Sequence, residues 1–280
     1  MKTLVHLSDL HFGRIDPNLV EPLRRAVREL QPDLVAISGD FTQRARRSQF
    51  AAARAFVTSL EATTLVVPGN HDIPLYNVLA RFLTPLARYR EYISDDLEPE
   101  YRDDEMIVVG VNTARSLAIG EGRIDGHQVD RVLQRLAAVP APVLRVIVTH
   151  HPFDLPPGVE ARRLLGRSAM AMARLAEANA DLFLSGHLHI SHVSHAVDRY
   201  DIAGHSALIV QAGTVSTRSR GEQPSFNVLR LQRPEIELSR HSWDEATASF
   251  TSSLVGRYRH GTRGWTAESE AAPHQSIIRP

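Results

Sequence analysis

The 280-residue sequence contains no cysteine. This absence excludes disulfide bonds, cysteine nucleophiles and metal sites built on thiolates. Any metal ion that the chain binds must therefore be held by nitrogen and oxygen atoms.

Neither sign of charge dominates, because Lys and Arg together number 32 and Asp and Glu together number 32. The chain as a whole therefore has no field that would attract nucleic acid or an anionic membrane, and nucleic acid is disfavoured as a partner, although local patches stay open. No apolar run approaches the roughly 20 residues of a membrane helix. The first residues, "MKTLVHLSDLHF", reach His6 and Asp9 too early for a secretory signal. We expect a soluble, cytoplasmic protein with no membrane span.

Short apolar runs rich in β-branched residues predict buried strands. These runs cover residues 3–8, 33–38, 64–69, 106–111, 144–150 and 181–186. Helical patterns lie between several of them, over residues 19–30, 48–60, 126–137 and 168–178. This alternation indicates βαβ units and parallel pairing. After Gly186 the strand-like runs follow one another without helices, which predicts an antiparallel continuation at one side of the core.

The composition changes again near Ser242, where the chain becomes polar. We predict one main domain over residues 1–241 and a polar C-terminal tail over residues 242–280. The tail is a candidate for partial disorder or for contacts in a homodimer. The long segment from Ile73 to Asp104 is a candidate lid over a site.

Polar clusters follow the predicted strands at the points where the strands end. They are "SDLH", "SGDFT", "PGNHD", "THHP" and "SGHLH". The carboxyl ends of parallel strands are where α/β sheets form their binding crevices. Five such clusters at five strand ends predict one shared site.

The side chains of these clusters are metal ligands by type. Carboxylate, amide and imidazole groups come from Asp9, Asp40, Asn70, His11, His150, His187 and His189. Seven ligands exceed the needs of one ion but suit two ions about 3.5 to 4 Å apart that share a carboxylate. Mixed nitrogen and oxygen ligands favour Mn, Fe, Zn or Co over Ca. We therefore expect two divalent or trivalent ions whose identity stays open.

The motif series "DLH", "GDFTQ", "GNHD", "HHP" and "GHLH" resembles that of the calcineurin-like metallophosphoesterases. Within that superfamily it is most similar to the bacterial group of class III cyclic-nucleotide phosphodiesterases and glycerophosphodiesterases. The resemblance implies a four-layer α/β/β/α sandwich of two mixed sheets flanked by helices.

The resemblance also implies roles for individual residues. Asp9, His11 and His189 would bind the first metal. Asn70, His150 and His187 would bind the second metal, and Asp40 would bridge the two. His71 would face the substrate, where it stabilises the transition state or protonates the leaving oxygen. Asp72 would orient His71 or brace the loop.

The implied reaction is hydrolysis of a small-molecule phosphodiester by in-line attack of a metal-bridging hydroxide. Cyclic nucleotides and glycerophosphodiesters are the candidate substrates. The alternatives are a phosphomonoesterase or protein phosphatase, a nuclease of the DNA-repair type, and a non-catalytic scaffold. The retained ligand set and His71 argue against the scaffold.

Several assignments around the site stay open. His151 competes with His150 as the ligand in "THHP", and the related motif favours His150. Arg14 is the arginine best placed to bind substrate phosphate, although a solvated arginine explains it equally well. "QRARRSQF" is more simply the start of a helix than a phosphate-binding strip. We expect specificity to come from the loops at residues 12–18, 73–104, 112–125, 153–166 and 214–224.

Overall fold

The structure, a computed structural model of the chain, describes residues 1–202 and 206–270. Its strands are, in chain order, β1 (Lys2–Leu7), β2 (Leu34–Ile37), β3 (Thr64–Val66), β4 (Glu100–Arg102), β5 (Met106–Val111), β6 (Leu144–Thr149), β7 (Leu182–Ser185), β8 (His192–His195), β9 (Leu208–Gln211), β10 (Ser225–Gln232), β11 (Glu235–Asp244), β12 (Ser249–Gly261) and β13 (Gly264–Glu270).

The helices are α1 (Pro17–Glu29), α2 (Arg47–Ser59), α3 (Val78–Leu83), α4 (Ala87–Tyr92), α5 (Gly126–Ala137), α6 (Ser168–Glu177) and α7 (Ala196–Arg199). Two short 3-10 turns cover Asn70–Asp72 and Ala161–Arg163. The six predicted buried strands and the four predicted helices are all confirmed, with ends that differ by a few residues.

The strands form two mixed sheets. The first has the order β13-β12-β11-β10-β1-β2-β3, and the second has the order β4-β5-β6-β7-β9-β8. Neighbours from β1 to β3 and from β5 through β7 to β9 are parallel. The remaining neighbours are antiparallel.

Three hydrophobic cores separate the layers. The central core lies between the sheets and contains Leu4 of β1 and Leu184 of β7. Successive strand residues face opposite sides of a sheet. Val5 therefore belongs to an outer core, which also contains Phe50 of α2, and Phe183 belongs to the other outer core beside Met172 of α6. The predicted four-layer α/β/β/α architecture is confirmed.

The strands after Gly186 are arranged differently from the predicted antiparallel continuation at one side. The short helix α7 intervenes between β8 and β9, so that β9 can return parallel to β7. The next strand, β10, then crosses to the other sheet and pairs with β1. These strands therefore extend both sheets.

The segment from Ser242 to Glu270 is not a loose tail in the structure. It contains the end of β11 and the whole of β12 and β13, which pair antiparallel at the edge of the first sheet. Its polar composition arises because one face of these strands is exposed, while Tyr258 and Trp265 are buried in the central core. Residues 271–280, the rest of the predicted tail, lie outside the described residues.

The segment from Ile73 to Asp104 contains α3, α4 and β4. None of the helices within residues 1–202 and 206–270 has both the length and the apolar composition needed to cross a membrane.

Candidate metal centre

The parallel strands of both sheets bring the predicted ligands to one edge of the molecule. Asp9 and His11 follow β1, Asp40 follows β2, Asn70 follows β3, His150 follows β6, and His187 and His189 follow β7. The site is therefore assembled from strands that are far apart in sequence. All four carboxylate and imidazole ligands after β1, β2 and β6 are almost completely buried.

The backbone at these strand ends is strained. Left-handed φ values between 45° and 73° occur at Asp9, His11, Asp40, His187 and His189. Such a conformation costs a non-glycine residue about 1 kcal/mol or more, and it persists only where the surrounding structure enforces it. The bends turn successive side chains into the same small volume.

One group of ligand atoms lies after β1 and β7. The Nε2 atom of His11 is 3.0 Å from Nε2 of His189 and 3.5 Å from Oδ1 of Asp9. The Nε2 atom of His189 is 3.1 Å from the same oxygen of Asp9. Together with Asp40, these residues form a group whose ligand atoms all lie within 4.8 Å of one another.

A second group of ligand atoms lies beside the first. The amide oxygen of Asn70 is 3.0 Å from Nε2 of His150 and 3.0 Å from Nδ1 of His187. The same two histidines, with His151, form the second set of residues that could hold a metal ion.

Asp40 lies between the two groups. Its Oδ2 atom is 3.6 Å from Nε2 of His11, and its Oδ1 atom is 3.5 Å from Nε2 of His150. Each oxygen of one carboxylate thus faces a different group. This arrangement is compatible with a carboxylate shared by two ions.

The donor set fits metal ions. Two ligand atoms at about 2.1 Å from one ion are about 3.0 to 3.4 Å apart in octahedral or tetrahedral geometry, close to the spacings in both groups. The Nε2 atom of His187 is buried without a hydrogen-bond partner among the described residues, and the Oδ1 atom of Asp9 is buried against the ring nitrogens of His11 and His189. Buried polar atoms are normally paired, and a cation would satisfy both the imidazole nitrogen and the charge of the carboxylate.

Two ligand histidines use their other ring nitrogen on a backbone carbonyl. Nδ1 of His150 is 2.7 Å from the carbonyl oxygen of Ser38, and Nδ1 of His189 is 2.9 Å from that of Arg218. A carbonyl only accepts, so Nδ1 donates its proton, and Nε2 is the nitrogen whose lone pair can bind a metal ion once it carries no proton. This fixes the tautomer and the ring orientation that metal ligation needs.

His151 lies next to the second group but is oriented differently from His150. Its Nδ1 atom is 2.9 Å from the hydroxyl of Thr113, and its Nε2 atom has no hydrogen-bond partner in the described part of the chain. The ring of His151 packs against that of His187, with centroids 4.6 Å apart. Of these two histidines, His150 is the one with a ring nitrogen near both Asp40, at 3.5 Å, and Asn70, at 3.0 Å.

The two carboxylates are ionised at neutral pH. Burial opposes ionisation of Asp9, but the charge of His189 and hydrogen bonding to His11 and His189 outweigh burial and hold the Asp9 pKa well below its usual range. Burial likewise opposes ionisation of Asp40, and the charges of His150 and His71 lower the Asp40 pKa.

The histidines divide into two kinds. Burial lowers the pKa of His11 to about 4 and that of His187 to about 3, so both are neutral near pH 7. Burial also acts on His150, but the Asp40 carboxylate outweighs it and raises the His150 pKa to about 9. Because imidazole binds metal only when deprotonated, a metal ion must displace a proton from His150.

Asp72 contacts the backbone of two loops rather than the His71 ring. Its carboxylate accepts hydrogen bonds from the N–H groups of Thr42 at 2.9 Å, Phe41 at 3.2 Å and Gly69 at 3.0 Å, and from the Thr42 hydroxyl at 3.0 Å. Burial and the charge of Asp40 raise the Asp72 pKa to about 7. Asp72 therefore ties the loop after β2 to the loop after β3.

His71 lies at the mouth of the site. Its Nδ1 atom is 2.9 Å from the carbonyl oxygen of Gln43, so Nδ1 donates and Nε2 is directed elsewhere. The Nη1 atom of Arg218 lies 3.0 Å from Nε2, and Nη1 of Arg44 lies 3.4 Å from Nδ1. Arg218 is not one of the site residues predicted from the sequence.

A pocket of about 250 Å³ opens over these residues. Its lining includes Asp40, Asn70 and His71 together with the arginines Arg44, Arg81, Arg163, Arg218 and Arg220. Within the described ranges, Arg44, Arg163 and Arg218 form no ion pair with a carboxylate. Their positive charges are thus available to an anionic ligand.

The arginines of the pocket come mainly from the loops that we predicted to set specificity. Arg163 lies in the loop at 153–166, and Arg218 and Arg220 lie in the loop at 214–224. Arg14, the predicted phosphate-binding arginine, is exposed and does not line this pocket. Arg44, from the strip "QRARRSQF", does line it.

The other two histidines of "SGHLHISHVSH" lie outside the ligand groups. His192 and His195 belong to β8, and Nε2 of His192 is 3.2 Å from Asp154.

Comparisons with known proteins agree with this geometry. The family described as calcineurin-like phosphoesterase matches residues 2–191. The chain is 26% identical over 160 residues to a protein of Synechococcus sp. named "Probable cyclic nucleotide phosphodiesterase", a match that covers 54% of this chain and 58% of the relative. It is 36% identical over 81 residues to the glycerophosphodiester phosphodiesterase GpdQ of Enterobacter lignolyticus, covering 25% of this chain and 29% of the relative.

Each of these matches spans less than two thirds of the relative's length. Among solved structures, a dimetal phosphatase from Danio rerio is similar with a TM-score of 0.63 and 14% identity, covering 90% of this chain and 98% of that one. A purple acid phosphatase from yellow lupin gives a TM-score of 0.67 and 11% identity, covering 90% and 53%. At these identities the structures support the fold alone. Because the family model spans residues 2–191, the chain belongs to the calcineurin-like phosphoesterase family.

Proposed function

We propose that this protein is a phosphodiesterase that depends on two metal ions. Asp9, His11 and His189 hold one ion, Asn70, His150 and His187 hold the other, and Asp40 is shared. The observation that carries the proposal is the position of Asp40, whose two oxygens face different groups of ligand atoms. Mn, Fe, Zn and Co all suit such ligands.

Two bound ions would activate a water molecule and neutralise the charge of the phosphoryl oxygens. The protein's own groups then position the substrate. Arg218 lies beside His71 and carries no carboxylate partner among the described residues, so its guanidinium can bind a phosphoryl oxygen. The two donors of a guanidinium edge match the geometry of a phosphate.

His71 serves the leaving group. Since Nδ1 donates to the carbonyl of Gln43, a proton for the departing oxygen would come from Nε2 of the imidazolium form, with the Arg218 guanidinium turned from Nε2 to a phosphoryl oxygen. Asp72 acts through the backbone: it braces the two loops that carry Asp40 and Asn70. It is therefore a positioning residue rather than one that touches the substrate.

The relatives suggest the substrate class. The names of the two relatives describe enzymes for cyclic nucleotides and for glycerophosphodiesters, both of which are phosphodiesters. The small pocket of about 250 Å³ suits a small molecule around the phosphate rather than a folded protein substrate. A homodimer and a cytoplasmic location remain predictions.

A substrate screen tests the proposal. Protein stripped with a chelator and reloaded separately with Mn, Fe, Zn or Co is assayed with bis(p-nitrophenyl) phosphate, p-nitrophenyl phosphate, cyclic nucleotides and glycerophosphodiesters. We expect hydrolysis of diesters by the reloaded protein and none by the stripped protein. Turnover of the monoester alone would show that the enzyme is a phosphomonoesterase.

A further inference from the structure

Exposed apolar side chains are concentrated at one place on the surface. Ten large apolar residues in the described part of the chain are strongly exposed, and seven of them lie together in two segments. We call these seven the apolar rim: Tyr76, Val78, Leu79, Phe82, Leu83, Leu117 and Ile119. Leu117 is 88% exposed and Tyr76 is 76% exposed. Contiguous exposed apolar surface of this kind marks a binding surface.

A buried arginine joins the two segments of the rim. The Nη2 atom of Arg81, within α3, donates to the carbonyl of Ala118 at 2.9 Å, and Nη1 donates to the carbonyl of Pro74 at 3.3 Å. Arg81 is only 7% exposed, and its guanidinium donates to backbone carbonyls of the protein itself. The rim is therefore built as one surface from α3 and the loop at 117–119.

The rim adjoins the pocket over the metal centre. Ile119 lines that pocket, and so does Leu75, which precedes Tyr76 in the chain. Tyr76 lies under the guanidinium of Arg44, 5.8 Å from the ring centroid, and Arg44 also lines the pocket. Apolar and cationic groups thus meet at the pocket mouth.

An apolar groove lies near this point. A cavity of about 450 Å³ lies between the α3 and α4 region and the loop at 112–116, with Leu83, Leu86, Leu97 and Ala114 in its wall. Ile73 lines both this groove and the metal pocket, so the two cavities are neighbours. Leu83, a residue of the rim, also lines the groove, so a chain that leaves the pocket over the rim meets the groove.

We infer that the substrate is an amphiphilic phosphodiester, with its phosphate among the pocket arginines and an alkyl or acyl chain along the rim and the groove. This inference rests on the proposed function and narrows its substrate class. Charge complementarity supports this inference. Arg44, Arg163 and Arg218 line the pocket beside the rim, and their positive charges match an anionic phosphate next to an apolar chain. A second copy of the chain on the rim would instead cover Ile119 at the edge of the pocket.

Chain length is the quantity that the inference predicts. A fully buried methylene strengthens binding about fourfold, and a surface groove covers only part of each methylene. Lengthening one ester group from methyl to octyl should therefore lower KM by about tenfold to a hundredfold. The leaving group and the charge stay the same in such a pair, so the chemical step is matched.

The experiment compares methyl p-nitrophenyl phosphate with octyl p-nitrophenyl phosphate below its micelle concentration, with the metal-loaded full chain. We expect the KM of the methyl ester to be at least about ten times that of the octyl ester. In the double variant L79S/L83S this ratio should fall towards one. The control V197S/L254S removes two exposed apolar side chains elsewhere and should keep the wild-type ratio.

Three results would overturn the inference. The first is equal KM values for both esters. The second is a dimer, seen by sedimentation, that L79S/L83S abolishes without changing the KM ratio. The third is co-sedimentation with anionic phospholipid vesicles that needs the rim, combined with no preference between the soluble esters.

The proposed function can fail separately. If neither ester is hydrolysed, calorimetric titration with octyl phosphate and methyl phosphate still measures how much the alkyl chain adds to binding affinity. Tighter binding of octyl phosphate that L79S/L83S removes would support the rim as a ligand surface. Equal affinities would refute it.

Discussion

The metal centre and the apolar rim lie side by side, yet the first buries polar side chains and the second exposes apolar ones. At the metal centre, Asp9 and His11 are completely buried although they are polar. At the rim, Leu117 and Leu83 are 88% and 75% exposed although they are apolar. Each arrangement is unfavourable for an isolated chain, and each becomes favourable when a ligand of the matching chemistry is present. Burial of polar groups in one region and exposure of apolar groups in the other both oppose folding, as we expect if both regions serve binding.

The two regions also differ in what supports them. The metal ligands follow strands of two packed sheets, and several adopt left-handed backbone conformations that the sheets enforce. The rim stands on the six-residue helix α3 and on a loop, joined through Arg81. A rigid site suits atoms that must be held within a few tenths of an ångström. A short helix and a loop can adjust to the alkyl or acyl chain of a ligand, which has no fixed conformation.

The largest effect should come from breaking the metal centre at its shared ligand. Asp40→Asn keeps the shape of the side chain but removes the charge that faces both groups, so diester turnover should fall by about 10³-fold or more. Metal content per chain, measured by elemental analysis, should fall as well. Thermal unfolding should stay cooperative. Full activity in this variant would contradict the two-metal proposal.

A smaller effect is expected from His71, which lies at the mouth of the metal centre. His71→Ala removes the group available to the leaving oxygen, and turnover should fall by about 10²-fold. The metal content should stay that of the wild type, because both ring nitrogens face groups other than the ligand sets. Loss of metal in this variant would make His71 a ligand.

The smallest effect should be the contribution of the rim to stability. Leu83→Ser should change the free energy of unfolding by no more than about 0.5 kcal/mol, because the side chain is exposed. Leu184→Ala, in the central core, should cost about 2 to 5 kcal/mol. Chemical denaturation measures both. A large loss in the Leu83 variant would mean that the rim stabilises the fold, which would weaken the contrast between the two regions.

The sequence predicted most of what positions the candidate site. Buried parallel strands appear as continuous apolar runs, and the polar residues that follow them stand out against those runs. The structure brings all seven predicted ligands together for that reason. Their assignment to two metals still comes from the resemblance and from the spacing of ligand atoms.

Other features could not be predicted because their signal is not local. Trp265 and Tyr258 stabilise β12 and β13 by reaching the central core, and nothing in the neighbouring polar residues indicates that contact. The return of β9 parallel to β7 depends on the four-residue helix α7, which is too short to give a periodic pattern. Arg218 looks like any loop arginine until the fold brings it to His71.

The loop at 214–224 joins both sides of the metal centre through one residue. The backbone carbonyl of Arg218 accepts the hydrogen bond from Nδ1 of His189, while its side chain reaches Nε2 of His71. Nearby, the hydroxyl of Thr214 donates to the carbonyl of Asp9 at 2.7 Å and fixes the start of the loop. Because every amino acid supplies a backbone carbonyl, a substitution at position 218 would remove the guanidinium beside His71 and leave the acceptor of the His189 hydrogen bond in place. The same residue therefore separates the binding of substrate charge from the orientation of a candidate ligand.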